Sequence, residues 1–157
     1  MKISLWYIGK NKHAYIDEGI KMFSKRLEHY CRFDVRLFKP VKNSENLPRN
    51  TLIQQEGLML IKELKSGDRL ILLDENGKEF NSRKFADYIQ NHRLQSSKHL
   101  IFAIGGAYGF SDEIKAKATG KVSLSKMTFS HQLIRLIFLE QLYRGFTIIN
   151  GEKYHND

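Results

Sequence analysis

Apolar and polar positions follow two periods along the chain, and the change from one to the other marks out its elements. Lys2–Ile8 (KISLWYI) is rich in β-branched and aromatic residues and predicts a strand. Across residues 13–30 the apolar side chains fall at Ile16, Ile20, Phe23, Leu27 and Tyr30. Steps of four and three put them on one helical face, with Lys21, Lys25, Arg26 and Glu28 mostly outside. Residues 33–38 alternate as a second strand, whose extension Pro40 limits. The polar stretch 39–50, with a second proline at Pro48, reads as a loop. Residues 51–64 predict a helix. Residues 69–74 (RLILLD) form a continuous apolar run, the mark of a strand covered on both faces.

The alternation then repeats. Ser82 can cap a helix reaching His92 that buries Phe85, Ala86 and Ile89. Residues 100–104 are another buried strand, ending at Gly105-Gly106. Ser111 followed by Asp112 and Glu113 opens a further helix, with the acids near the positive end of its dipole. Residues 121–125 predict a short strand. A long helix follows over residues 131–149, its apolar positions Leu133, Ile134, Ile137, Phe138, Leu142 and Phe146. Strand and helix alternate without a repeat or a linker. The expectation is therefore one α/β domain over residues 1–157, a mostly parallel sheet with helices on both faces.

Composition narrows the function. A length of 157 residues suits one domain, and 41% hydrophobic with 27% charged residues is an ordinary globular balance. Cys31 stands alone, so the chain builds neither an internal disulfide nor a Cys-based zinc site. The six histidines are scattered and no H-E-x-x-H occurs, so no metal site is indicated. The first residues lack a signal-peptide core, and no apolar run approaches the ~20 residues of a spanning helix. The expectation is a soluble, cytoplasmic protein. Lys and Arg outnumber Asp and Glu by 26 to 17, a net charge of +9. Most of that surplus lies in residues 1–50, which hold eleven basic against five acidic residues. Such an excess favours polyanionic partners, nucleic acid or an anionic membrane surface, with the chemistry carried elsewhere in the chain.

Ligands of open α/β sheets sit at the carboxyl ends of strands. Three segments leave such ends: RLILLDENGKEF, LIFAIGGAYGFSDE and VSLSKMTFSHQ. Gly105, Gly106 and Gly109 point either to a plain turn or to a small-molecule cradle that a backbone without Cβ atoms can approach closely. The spacing is G-G-x-x-G rather than G-x-G-x-x-G, and Gly77-Lys78 is followed by Glu79. Dinucleotide and P-loop sites are thereby disfavoured. A smaller cofactor in a backbone-lined pocket stays open.

IGGAYGF, SLSKMTFSHQLIRLIFLEQLYRGF and the terminal EKYHND closely resemble the RlmH family of bacterial rRNA methyltransferases, in the SPOUT superfamily. The similarity runs from MKISLWYIGK to the YH near the end. It implies a homodimer that binds S-adenosylmethionine (SAM) in a trefoil-knotted C-terminal region. It also implies methylation of ring nitrogen 3 of a pseudouridine in the helix 69 loop of 23S rRNA, on assembled ribosomes; from the residues, no membrane and no metal are expected as partners. The family's cofactor contacts match Leu73, Gly105, Leu124, Ser125, Lys126, Met127, Thr128 and Phe129. Ser130 departs from the family's usual Pro; Ser can cap the last helix instead.

Candidates for substrate contact or proton removal are His131, Arg135, Tyr143, Arg144, Tyr154 and His155. The histidines can accept a proton near neutral pH, and the arginines can hold phosphate or a developing anion. Arg135 and Arg144 can equally form surface or dimer ion pairs. The resemblance puts the tail carrying Tyr154 and His155 near the active site, and none of the six is singled out as the base. The wide apolar girth of the last helix fits a homodimer. Rival readings are a non-catalytic basic RNA-binding or ribosome-associated protein, and a nucleotide-dependent oxidoreductase that the glycine spacing weakens.

Overall fold

Parallel strands need crossovers, and the crossovers here carry helices to both faces of one sheet. The computed structural model describes residues 1–156. The strands are β1 (Lys2–Ile8), β2 (Arg32–Phe38), β3 (Asp68–Glu79), β4 (His99–Ile104) and β5 (Gly120–Ser123). They pair in the order β2-β1-β4-β3-β5, each neighbouring pair parallel. Alternation on the strands sorts the side chains. Ile3, Leu5, Leu100 and Phe102 meet Ile16, Phe23, Phe85, Ile89, Phe138 and Leu142 of α1 (Ala14–Leu27), α3 (Ser82–Leu94) and α5 (Leu133–Ile149). On the other face Trp6, Leu70, Leu72 and Ile101 meet Leu60 of α2 (Arg49–Ile61) and Ile114 of α4 (Asp112–Lys117). The expected α/β architecture is the one observed.

Several boundaries differ from expectation for local reasons. Asn81, not Ser82, caps α3, its Oδ1 accepting the Lys84 amide at 2.9 Å. The stretch read as loop holds a 3₁₀ turn at Ser44–Asn46, and α2 already starts at Arg49, after Pro48. The last helix begins at Leu133 rather than His131, and Ser130 Oγ accepts the Leu133 amide at 3.1 Å. The largest difference is in β3, which runs on past Asp74. After a register shift, Lys78 and Glu79 pair with Val122 and Ser123 of β5. Gly77 makes that approach possible, since a Cβ there would come within 2.7 Å of the Val122 nitrogen.

Two polar networks pin opposite ends of the sheet. At the strand starts, Lys2 and Ser4 bind Asp34, Ser4 Oγ lies 2.7 Å from His99 Nε2, and His99 Nδ1 lies 3.0 Å from Asp68. At the carboxyl end, Arg135 of α5 is only 1% exposed. Its guanidinium donates to Ile8 O (2.7 Å), Gly9 O (2.9 Å) and Asn11 Oδ1 (2.7 Å), which fixes α5 to the exit of β1.

Candidate active site

The strand order makes the ends of β4, β3 and β5 neighbours: Leu73 pairs with both Ile104 and Val122. The chain segments that leave those three ends therefore emerge side by side. They enclose a cavity of about 620 Å³ walled by residues 73–76, by residues 104–110 and by Leu124, Ser125 and residues 127–131. Ile134 of α5, Arg49 of α2 and Lys115 of α4 complete the wall.

Each segment has a local reason for its shape. In the glycine segment the Gly109 amide donates to Gly106 O at 3.1 Å, closing a β-turn, and Gly109 takes φ +82°, where side chains are strained. A Cβ on Gly105 would come within 2.9 Å of Gly109 O. Turn and cavity wall are thus the same piece of backbone. Between β5 and α5, Ser123 Oγ donates to Ser125 O (3.0 Å) and Ser125 Oγ accepts the Met127 amide (2.9 Å). This bend leaves Met127 75% exposed at the mouth. At the third segment, Asp74 Oδ1 accepts the Asn76 amide at 2.8 Å.

The wall is chemically divided. Leu73, Val122, Leu124, Phe129 and Ile134 offer apolar surface, while Asp74 and Glu75 bring carboxylates and Arg49 and Lys115 bring cations. Its size lies within the ~300–1,000 Å³ of small-molecule sites, and its division suits a flat heterocycle with a charged tail. Partial burial, then the positive charges of Arg135 and Lys12, lowers the His131 pKa below its ordinary value. At neutral pH the imidazole is therefore uncharged and can accept a proton.

Of the residues named from sequence, Leu73, Gly105, Leu124, Ser125, Met127, Thr128, Phe129 and His131 line this cavity. Lys126 turns outward, its Nζ 3.9 Å from Glu79. Arg135 lies in the tie to β1 described above. Tyr143, Arg144, Tyr154 and His155 gather at the other end of α5. There Arg144 bonds Glu140 at 2.6 Å, the Tyr154 hydroxyl donates to the same carboxylate at 3.2 Å, and Arg144 Nη1 lies 3.3 Å from His155 Nδ1. The Tyr143 and Tyr154 rings meet edge-on at 4.8 Å. Burial, with Glu140 beside it, raises the Tyr154 pKa. Arg144 is ten residues beyond Ile134, about 15 Å along the helix.

Glu56 is a residue that the sequence reading did not single out. It is 8% exposed on α2, directly behind the glycine turn, where a Cβ on Gly106 would overlap its carboxylate oxygens. Burial raises its pKa. The signal in the sequence was the mid-helix Gly57, which marks a close approach: a Cβ there would strike Ser111. Among the described residues no cluster of His, Cys, Asp and Glu could hold a metal ion, and no helix is long and apolar enough to cross a membrane.

Residues 1–155 match the family model described as "Predicted SPOUT methyltransferase". The chain is 49% identical over 156 residues to a protein of Cytophaga hutchinsonii, covering 99% of this chain and 100% of that one. It is 46% identical over 157 residues to a protein of Parabacteroides distasonis, covering 100% of both. A protein of Bacteroides fragilis is 41% identical over the full length of both chains. All three bear the name "Ribosomal RNA large subunit methyltransferase H".

Proposed function

The chain belongs to the SPOUT methyltransferase family, and from that premise we propose that it methylates large-subunit rRNA with SAM as methyl donor. The acceptor in this reading is ring nitrogen 3 of a pseudouridine in the helix 69 loop of 23S rRNA, on assembled ribosomes in the cytoplasm. The observation that carries the proposal is the convergence of three neighbouring strand ends on one cavity.

The residues present suit the cofactor. Leu73, Leu124 and Ile134 offer apolar surface to an adenine, and the backbone of the 105–109 turn allows close approach. Asp74 and Glu75 would balance a cationic ligand. SAM, when bound, supplies a methyl group on a positively charged sulfur, with the leaving group built in. The task left to the chain is alignment and exclusion of water. The 124–129 bend and the 105–109 turn would hold the donor side. His131, uncharged at neutral pH, would take the imide proton of the acceptor base at a ring nitrogen.

Tyr143 and Arg144 lie too far along α5 to reach the cavity of their own chain, and Tyr154 and His155, which follow the helix, pack beside them. A homodimer resolves this by bringing one copy's tail to the other's cavity. The half-buried Ile137 and Ile148 on α5, which stand outside both core clusters, give such an association apolar surface. There Arg144 would hold a phosphate, and Tyr154 and His155 would contact the base. The knotted C-terminal region that the family implies belongs to the same reading.

The test is mass spectrometry of 23S rRNA from cells lacking the gene. The expected result is one methyl group missing from a pseudouridine, restored in vitro by the purified chain with SAM. A complete set of methyl groups in those cells, or failure of the purified chain to restore the missing one, would contradict the proposal.

A further inference from the structure

Tyr108 and Arg49 come together at the cavity wall from two different elements. Tyr108 is the third residue of the 106–109 turn, whose geometry holds its ring away from the core, 49% exposed. Arg49 opens α2, and its guanidinium carbon lies 5.1 Å from the Tyr108 ring centroid. Arg36 and Arg144 also cover aromatic rings, but their charges are paired with Glu63 and Glu140, and Arg26 and Arg93, which no carboxylate among the described residues pairs, cover the buried rings of Phe23 and Phe146. Among the described residues no carboxylate pairs with Arg49, so its charge is available. Lys115 lies on the same wall, but its Nζ is 3.9 Å from Asp112.

A half-exposed ring backed by an unneutralised guanidinium matches the chemistry of an unpaired nucleotide. The base stacks on the ring, and the cation meets the phosphate. The cofactor is the weaker occupant, because Leu73, Leu124 and Ile134 give an adenine enclosed apolar surface, whereas Tyr108 stands half in solvent. We propose that Tyr108 and Arg49 dock the RNA strand at the cavity mouth: Tyr108 stacks an unpaired base next to the reacting nucleotide, and Arg49 holds a phosphate beside it. This rests on the rRNA methyltransferase reading above. Once the reacting base is turned out of its stack, a neighbour loses its partner, and Tyr108 gives it a new face.

The experiment uses the full chain and ribosomes from cells lacking the gene. SAM affinity is measured by calorimetry, and KM and kcat by methyl transfer at several salt concentrations. Tyr108→Ala should raise KM for ribosomes about tenfold, far more than it changes SAM affinity, because the cofactor meets the backbone of this turn rather than the ring; Tyr108→Phe, which keeps the ring, should restore KM. Arg49→Ala should raise KM and reduce the salt slope by about one unit, a change Tyr108→Ala should not produce. An unchanged KM in both alanine variants overturns the inference. So does a parallel loss of SAM affinity, which would assign the pair to the cofactor. Inactivity of the unaltered chain would instead overturn the functional reading itself.

Discussion

The Arg135 guanidinium carbon lies 4.0 Å from the centroid of the Tyr7 ring, deep between α5 and the end of β1. The same group bonds the carbonyls of Ile8 and Gly9 and the side chain of Asn11. Arg135→Ala leaves these acceptors unpaired beside a new cavity, and it should lower the unfolding free energy by about 3 kcal/mol. Lys in its place should recover less than half, because one ammonium cannot reproduce a planar fork. Urea denaturation measures both. A loss of under about 1 kcal/mol for the alanine variant would contradict the role of Arg135 in joining the two elements.

Gly105→Leu should remove SAM binding while leaving the protein folded. A Cβ at this position would press on Gly109 O at 2.9 Å, so a larger side chain must displace the turn or enter the cavity. Calorimetry should find affinity reduced by well over about tenfold, a difference of more than ~1.4 kcal/mol, with the far-ultraviolet spectrum unchanged. Retained affinity would remove the glycine turn from the cofactor site.

Glu56 gives a pH prediction with a definite sign. Its carboxyl group binds its proton more tightly in the folded chain than at the ordinary value of 4.5, because burial disfavours the charge. Its contribution to stability is full below 4.5 and is lost as pH rises through the higher folded value. Glu56→Gln should therefore raise stability at pH 7 by about 1 kcal/mol and flatten the dependence of stability on pH above 4.5. A destabilised Gln variant at pH 7 would show instead that the ionised carboxylate has a favourable partner in the glycine turn.

Ribosome binding should weaken steeply with salt, given a net charge of +9 concentrated in residues 1–50. Lys39 and Lys42 are exposed just beyond β2, at the carboxyl end of the strands where the cavity also opens, though at the opposite edge of the sheet. Replacing both with Gln should lower the log–log salt slope by about two units. A slope unaltered by the double change would take these lysines out of the RNA interface.

What the sequence made legible follows from how local each signal is. Lys2–Ile8 reads as a strand because its own side chains demand burial, and β1 has those bounds. The three strand-end segments were recognisable one by one through their glycines and serines. Their meeting at one cavity depended on strand order, which periodicity does not carry. The continuation of β3 through Asn76-Gly77-Lys78 was hidden because those residues favour a turn, and pairing with β5 overrides that preference. Arg135 presents the same difficulty from the side-chain end. Its chemistry suggests an anion, whereas its acceptors are carbonyls more than a hundred residues away in sequence. The family resemblance supplied what spacing could not, the proposal of SAM as methyl donor and of a 23S rRNA pseudouridine as target.

The most direct measurement is a crystal structure of the chain grown with saturating SAM. The cofactor should lie between Leu73, the 105–109 turn and the 124–129 bend, in contact with main-chain atoms of all three. Density for SAM at any other place on the chain, or none at saturating concentration, would contradict that placement.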